Sequence, residues 1–450
     1  MFESCRGRQD LVICGVSGGV YAPQTPQIVL GTSHRCPPTR STSAAIRSDC
    51  SCPEPCQTAS MTKSNPLLLA IGVLLVGYGT NVSTPLLVLY KERLDLGDSA
   101  TMAIFTVYVL GIFATLLLAG PVSDRFGRRI TCVPFVALSA LASLVLILGR
   151  DSFLMLLFAR FLLGAVSGVV LGVGAAWMQE LMGPGHEQRA AVLSTVVAYF
   201  GFGLGPPISA LIEQLGADPF VWPYVLHAAL TLAFVPLMFR LPETVTFSER
   251  PPPLRPQLGV PPLALRTFWL VIVPATIWVF SFPSTSFALF PVIVSDAIPG
   301  YEVVVAAASG TLTAWSALLA RPIIARIGAR ASIPLALIAG TIGYVLGTIA
   351  FATDAWGFVL PAAVLLGGAS GTITAASLGV LGEMADPATR GALNSTVFIL
   401  AYPGMAMPIV LTSVGSITGL TAALVGVTLL ATIAAAWAVT AFRRNVTLVA

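Results

Sequence analysis

The chain has 450 residues, 56% of them hydrophobic and only 10% charged, with a formal net charge of +4. Soluble globular proteins carry about 25% charged residues, so a mainly water-facing surface is excluded. A net charge this small gives no argument for nucleic acid as a partner, and none is expected.

With a mean hydropathy of +0.87 and 41 Gly and 33 Pro, the chain reads as an all-α membrane protein, since both residues are commoner in membrane helices than in soluble ones. The first 60 residues stand apart. They hold Cys5, Cys14, Cys36, Cys50, Cys52 and Cys56, leaving Cys132 alone in the apolar part. "CSCPEPC" could open a small disulfide or metal domain, but its spacing fits no paired zinc pattern. Its neighbour "LVICGVSGGV" is too short to span a bilayer. Met61 followed by "TKSNPLLLAIGVLL" reads as a natural start, so residues 1–60 are expected to be a disordered tail or a mis-assigned start.

Crossing a hydrocarbon core takes about 20 apolar residues. Twelve segments qualify: 66–90, 99–119, 130–149, 152–178, 190–212, 222–240, 268–292, 302–320, 331–352, 355–381, 392–414 and 418–441. A Pro-rich stretch, "LPETVTFSERPPPLRPQLGVPP", cannot be a membrane helix because its prolines remove backbone donors. It gives a cytoplasmic linker, 242–267, between six-helix bundles at 61–241 and 268–441, followed by a tail at 442–450. Basic residues fix the orientation. One side collects Arg125, Arg128, Arg129, Arg189, Arg240, Arg250, Arg255, Arg266, Arg321, Arg326, Arg330, Arg390, Arg443 and Arg444. The other has Lys91, Arg93 and Arg150. By the positive-inside bias both termini are cytoplasmic. An internal repeat agrees with two bundles: "RAAVLSTVVAYFGFGLGPPI" at 189–208 aligns without gaps on "RGALNSTVFILAYPGMAMPI" at 390–409, and the same offset lays Arg125, Gly127 and Arg129 over Arg326, Gly328 and Arg330.

Four motifs then carry a resemblance. "GPVSDRFGRR" supplies Gly120, Asp124, Arg125, Gly127, Arg128 and Arg129 between the second and third segments. "RFLLGAVSG" supplies Arg160, Gly164 and Gly168 in the fourth. "GFGLGPP" supplies Gly201, Gly205 and Pro206 in the fifth, and "LPET" follows the sixth. In that order they resemble the signatures of the major facilitator superfamily, over about 61–441. The resemblance implies twelve transmembrane helices in two six-helix repeats. It further implies that Asp124 bridges to the facing half, near Arg390 and Gly391, when the cytoplasmic side closes, and that Gly201, Gly205 and Pro206 form an antiporter-like motif. There are departures. Ser209 and Ala210 replace the usual glycine pair, Ala325 replaces the acid in the second copy of the loop, and the first helix carries no carboxylate.

Arg160 is the one Lys or Arg well inside a predicted membrane helix. Lipid exposure would cost at least about 2.5–3.5 kcal/mol, so it should face the bundle interior. It is either a structural Arg bonded to carbonyls or a group that handles protons or substrate. Tyr78, Asn81, Thr84, Tyr199, Trp278, Phe282, Ser286 and Tyr402 are candidates to line a substrate cavity, or else to fill helix interfaces. His227 is expected to be an interfacial residue rather than a proton relay. A bend is expected at Pro206 and Pro207.

The resulting expectation is a secondary active transporter working by alternating access, by proton-coupled efflux of drug-like or metabolite compounds. The alternatives are facilitated or proton-coupled uptake of a small metabolite, or a transporter-like membrane sensor. Membrane catalysis is disfavoured by the absence of clustered His, Cys or acids within the helices, and direct ATP drive by the absence of a Gly-Lys phosphate loop. No cofactor and no metal are expected. The expected partners are a small-molecule substrate, protons and the lipid bilayer, with the chain a monomer spanning the plasma membrane many times.

Overall fold

Lipid offers the backbone no hydrogen-bond partner, and a helix satisfies its own N–H and C=O groups. The computed structural model describes residues 65–245, 259–260, 262–384 and 390–444, and among them every regular element is helical. In chain order the long helices are α1 (Pro66–Asn81), α2 (Asp98–Phe126), α3 (Arg128–Leu148), α4 (Phe153–Met182), α5 (Glu187–Gln214), α6 (Trp222–Met238), α7 (Leu265–Ile293), α8 (Glu302–Ile327), α9 (Ala329–Ala352), α10 (Trp356–Glu383), α11 (Leu393–Thr418) and α12 (Leu420–Arg443). Among the described residues, 10 of these are long and apolar enough to cross a membrane, while α1 and α6 are apolar but shorter. The expected tail at 1–60, most of the linker and the end of the C-terminal tail lie outside the described residues.

Two expected boundaries shift, each for a physical reason, and an expected bend falls inside a continuous helix. The segment 66–90 is not one helix: α1 stops at Asn81 and resumes as a short helix, Leu87–Arg93. Pro85 has no N–H for the Asn81 carbonyl, and that oxygen is taken instead by the Thr84 N–H at 3.2 Å. The charged stretch 119–130 is hardly a loop. Asp124 and Arg125 end α2, Arg128 and Arg129 start α3, and Gly127 alone makes the turn, at φ 105°. That left-handed angle suits glycine. Finally, α5 runs as one assigned helix through Pro206 and Pro207.

Helix α2 packs along α4, α3 against α4 and α6, and α1 against α4, α5 and α6. The pairings recur six helices on: α8 along α10, α9 against α10 and α12, and α7 against α10 and α11. Helix α2 lies close on α4, where Gly164 sits directly on the Tyr108 carbonyl and Gly111, and α8 lies as close on α10, where Gly367 sits on the Thr313 carbonyl. Because lipid tails are as apolar as leucine, such contacts stabilise by packing rather than by transfer from water. The two sets of helices meet along α5–α8 and α2–α11, within the compact unit Met61–Ala450.

Candidate functional site

At the Arg-rich end, two motifs that are far apart in sequence form one cluster. Arg128 pairs with Asp124 at 2.6 Å and with Glu180 at 2.8 Å, and its Nη1 also donates to Ser123 Oγ at 2.5 Å. The Glu243 carboxylate, from "LPET", accepts the Arg128 and Arg129 backbone N–H groups at 2.7 and 2.9 Å. It caps the first turn of α3, where unpaired donors and the helix dipole favour an anion. Thr244 Oγ1 donates to Glu180, and Trp177 Nε1 to the Pro242 carbonyl at 3.2 Å. Arg129 reaches the Leu241 carbonyl at 3.2 Å, Arg125 lies over the Phe126 ring at 5.6 Å, and Gly120 faces open space. The Arg390 side chain and the surroundings of Gly391, the expected partners of Asp124 in the other set, lie outside what is described. In the second copy, Arg330 meets Glu383 at 3.5 Å.

In the middle of the molecule, proline chemistry organises the polar contacts. A proline in a helix leaves the carbonyl four residues earlier without its partner, and at membrane depth another group must supply the bond. Pro206 frees the Phe202 carbonyl, which Asn81 Nδ2 takes at 3.1 Å. Pro207 frees Gly203, taken by Thr311 Oγ1 of α8 at 3.0 Å. In α7, Pro274 frees Leu270, bonded by Trp437 Nε1 at 2.6 Å, and Pro283 frees Val279, bonded by Ser370 Oγ at 2.5 Å. In α11, the Gly404 carbonyl, four residues before Pro408, accepts the Met407 N–H in a tighter turn and also Ser284 Oγ at 3.3 Å. The motif glycines of α5 let it lie close on α1: Gly201 sits on the Leu74 carbonyl and Gly205 on that of Tyr78, while Pro206 fits under Gly310 of α8.

Arg160 is 2% exposed. Its Nη1 donates to the Thr80 carbonyl at 2.8 Å and Ser83 Oγ at 3.1 Å, and its Nε to the Ile104 carbonyl at 3.3 Å. It thus pins the interrupted stretch after α1, which Ser209 Oγ secures further through the Val82 carbonyl at 2.8 Å. His227 corrects its expected place. It is fully buried rather than interfacial, with Nδ1 2.7 Å from Ser143 Oγ and Nε2 3.2 Å from the Leu75 carbonyl.

The candidate cavity residues divide. Tyr78 is packed within α1–α6, its hydroxyl on the Pro223 carbonyl at 3.4 Å and its ring edge on His227. Trp278 and Phe282 turn toward Tyr344 of α9, with centroids at 6.1 and 5.4 Å. Ser286 bonds Thr313 at 2.7 Å, and Thr84 bonds Asn81 at 3.3 Å. Tyr199 and Tyr402 are half-buried where the two sets of helices face each other. Tyr402 stacks on Phe280 at 4.6 Å and meets Phe113 of α2 at 6.1 Å and Phe398 at 6.3 Å. Tyr199 meets Phe202 at 6.3 Å. Sequence reading missed the phenylalanines and the stacked Phe200–Trp315 pair at 5.3 Å, because Phe carries no polar mark that separates it from lipid-facing neighbours.

Among the described residues, hydrogen bonds and ring contacts crossing between α1–α6 and α7–α12 include Gln214 to the Gly300 carbonyl, Thr311 to Gly203, Trp315 to Phe200, Phe105 to Phe287 and Phe113 to Tyr402. The Trp315 and Phe113 pairs lie near the helix midpoints, and the others toward the end remote from the Asp124 cluster. No group of three His, Cys, Asp or Glu that could hold a metal occurs among the described residues.

The Major Facilitator Superfamily model matches residues 69–407. Over 173 residues the chain is 33% identical to the 3-(3-hydroxy-phenyl)propionate transporter of Escherichia coli, covering 37% of this chain and 41% of that protein. Over 205 residues it is 30% identical to the chloramphenicol resistance protein CraA of Acinetobacter baumannii, covering 43% and 48%. Over 183 residues it is 32% identical to the multidrug resistance protein MdtL of Shewanella oneidensis, covering 40% and 45%. The chain thus spans less than half the length of these curated relatives. Among solved structures, it superposes on the human organic anion transporter MFSD10 with TM-score 0.60 at 18% identity, covering 84% of this chain and 99% of that one. A bacterial homologue of the human lysosomal transporter Spinster, inward-facing and unoccupied, gives 0.61 at 13% identity, covering 84% and 96%. These likenesses are of fold.

Proposed function

The chain belongs to the major facilitator superfamily, and from that premise we propose that it is a secondary active transporter moving a small molecule across the plasma membrane by alternating access. The observation that carries this is the seam between the two helix sets. They meet along α5–α8 and α2–α11 through separable hydrogen bonds and ring contacts, with Tyr199, Tyr402 and their aromatic neighbours at that seam. We take α1–α6 and α7–α12 as two six-helix repeats, twelve spans in all. The recurring helix pairings and the gap-free alignment of 189–208 on 390–409 support that division. In this reading the positive-inside bias puts the Arg-rich end and both termini in the cytoplasm.

Within that cycle, efflux of drug-like or metabolite compounds against a proton gradient is the first reading. The relatives named for chloramphenicol and multidrug resistance favour it. Uptake of a small aromatic acid is the second, favoured by the relative named as a 3-(3-hydroxy-phenyl)propionate transporter. Uptake of a compound panel into everted vesicles, with and without an imposed pH gradient, separates the two. Accumulation that survives a proton ionophore would overturn proton coupling. No movement of any compound would overturn transport and favour a membrane sensor. Asp124 serves in this reading as part of the cytoplasmic latch. Asp124→Asn is expected to lower transport at least several-fold without loss of membrane insertion, as checked by initial rates at matched expression.

A further inference from the structure

Among the described residues, α7 alone widens its backbone ladder to i→i+5 bonds, and it does so twice, at Phe268–Ile272 and Thr285–Leu289. The Val273 N–H bonds the Phe268 carbonyl, and the Phe290 N–H bonds that of Thr285. Two residues past each wide turn stands a proline, Pro274 and Pro291. In an α register each ring would press on the carbonyl four residues back, that of Leu270 or Phe287. Both residues lie inside the wide turns, where one extra residue relieves that contact. Such π-turns are rare and gather at functional sites.

The two turns differ in what holds them. At the first, Trp437 of α12 bonds the Leu270 carbonyl. At the second, the widening takes the Phe290 N–H away from the Ser286 carbonyl, its partner in an α-helix. That oxygen accepts instead from Ser309 Oγ of α8 at 2.9 Å, and Ser286 Oγ meets Thr313 Oγ1 of α8 at 2.7 Å. All three side chains are buried, and at membrane depth a carbonyl without a donor is costly. Ser309 and the Phe290 N–H are therefore alternative donors to one oxygen. Before the turn, α7 is fixed to its own set, by Ser370 Oγ on the Val279 carbonyl and the Tyr344 hydroxyl on that of Ser281. Closing the turn would thus rotate the chain beyond Thr285, by about 100° for one residue of α-helix. Phe287, inside the turn, meets Phe105 of α2 edge to face at 5.5 Å.

We propose that Thr285–Leu289 is a two-state switch in α7, wide when Ser309 holds the Ser286 carbonyl and α-helical when the Phe290 N–H reclaims it, and that the wide form aims Phe287 at Phe105 across the seam. The seating of α8 on α7 thereby governs one contact between the helix sets. The switch gives the transport reading a moving part, but its test involves no transport, and its failure leaves that reading standing.

The test is fluorine NMR of the purified full chain in lipid nanodiscs, with para-fluorophenylalanine in place of Phe287 alone. The signal that moves on Phe105→Leu marks the contacting form. Ser309→Ala is expected to lower that form relative to the other by about fivefold, the usual worth of one hydrogen bond. Pro291→Ala, which removes the ring that props the turn open, should shift the ratio the same way. Ser370→Ala removes a buried serine-to-carbonyl bond from α7 outside the turn and should leave the ratio unchanged. A ratio unchanged in Ser309→Ala overturns the switch, as does an equal shift in Ser370→Ala or an opposite shift in Pro291→Ala.

Discussion

His227 is a buried imidazole held on both sides. Nδ1 lies 2.7 Å from Ser143 Oγ, and Nε2 lies 3.2 Å from both the Leu75 carbonyl and Thr231 Oγ1. Its ring is seated on Tyr78 at 5.3 Å, which makes it a clamp between α1, α3 and α6. His227→Phe leaves the buried Ser143 and Thr231 hydroxyls without their imidazole partner. The expected loss is about 1–3 kcal/mol of stability, read as a lower melting temperature in detergent, with transport per folded molecule retained. An unchanged melting temperature with transport abolished would assign the imidazole to the transport cycle instead. Glu243→Ala is the corresponding test at the Arg-rich end. Removing the cap of α3 should cost about 0.5–2 kcal/mol, again read by thermal unfolding. Neither role was legible in the sequence. A lone His near a helix end looks the same whether it turns to lipid or inward, and the partners of Glu243 lie more than a hundred residues before it in the chain.

The helices carry their prolines by lending the freed carbonyls to other helices. Three of these bonds stay within one helix set, and Thr311 to Gly203 crosses between sets. The three fasten a repeat internally, whereas the fourth holds α5 to α8 only while their central parts touch. Thr311→Val keeps the shape and removes the donor. It is expected to shift the balance away from the present state by up to about tenfold, measured as the distance distribution between spin labels at the ends of α5 and α8. Pro207→Ala returns an N–H to the α5 ladder opposite Gly203. In the double variant, Thr311→Val should then have little further effect. Additive effects of the two substitutions would refute the link between them. Pro206 and Pro207 were conspicuous in the sequence, and so was the expectation of a distorted backbone there. The identities of the acceptors' partners were not, because they come from α1 and α8, at separations no local pattern encodes.

At the scale of the molecule, each long helix among the described residues falls on an apolar run marked in the sequence. What run length could not do was distinguish a span from an interrupted one, as Pro85 does to the first segment, or a loop from two abutting helices, as at Gly127. Nor could it sort aromatics. Trp278 and Phe282 could equally line a cavity or fill a helix interface, and they pack on Tyr344, while Phe113 and Phe280, which no pattern singled out, surround Tyr402. The sorting depends on which face of each helix meets α2, α7 or α11, and a nearly all-apolar helix has no polar stripe to announce it.

The Gly203 carbonyl has a consequence for the working cycle. Pro207 denies it a partner in its own helix permanently, so whenever α5 and α8 separate and Thr311 withdraws, another donor has to replace the hydroxyl at the centre of the bilayer. Water entering the newly opened mouth can supply it. In the proposed alternating-access cycle each reversal exchanges one threonine hydroxyl for one water molecule, so wetting of the membrane midpoint is a step of that cycle and not a by-product of it.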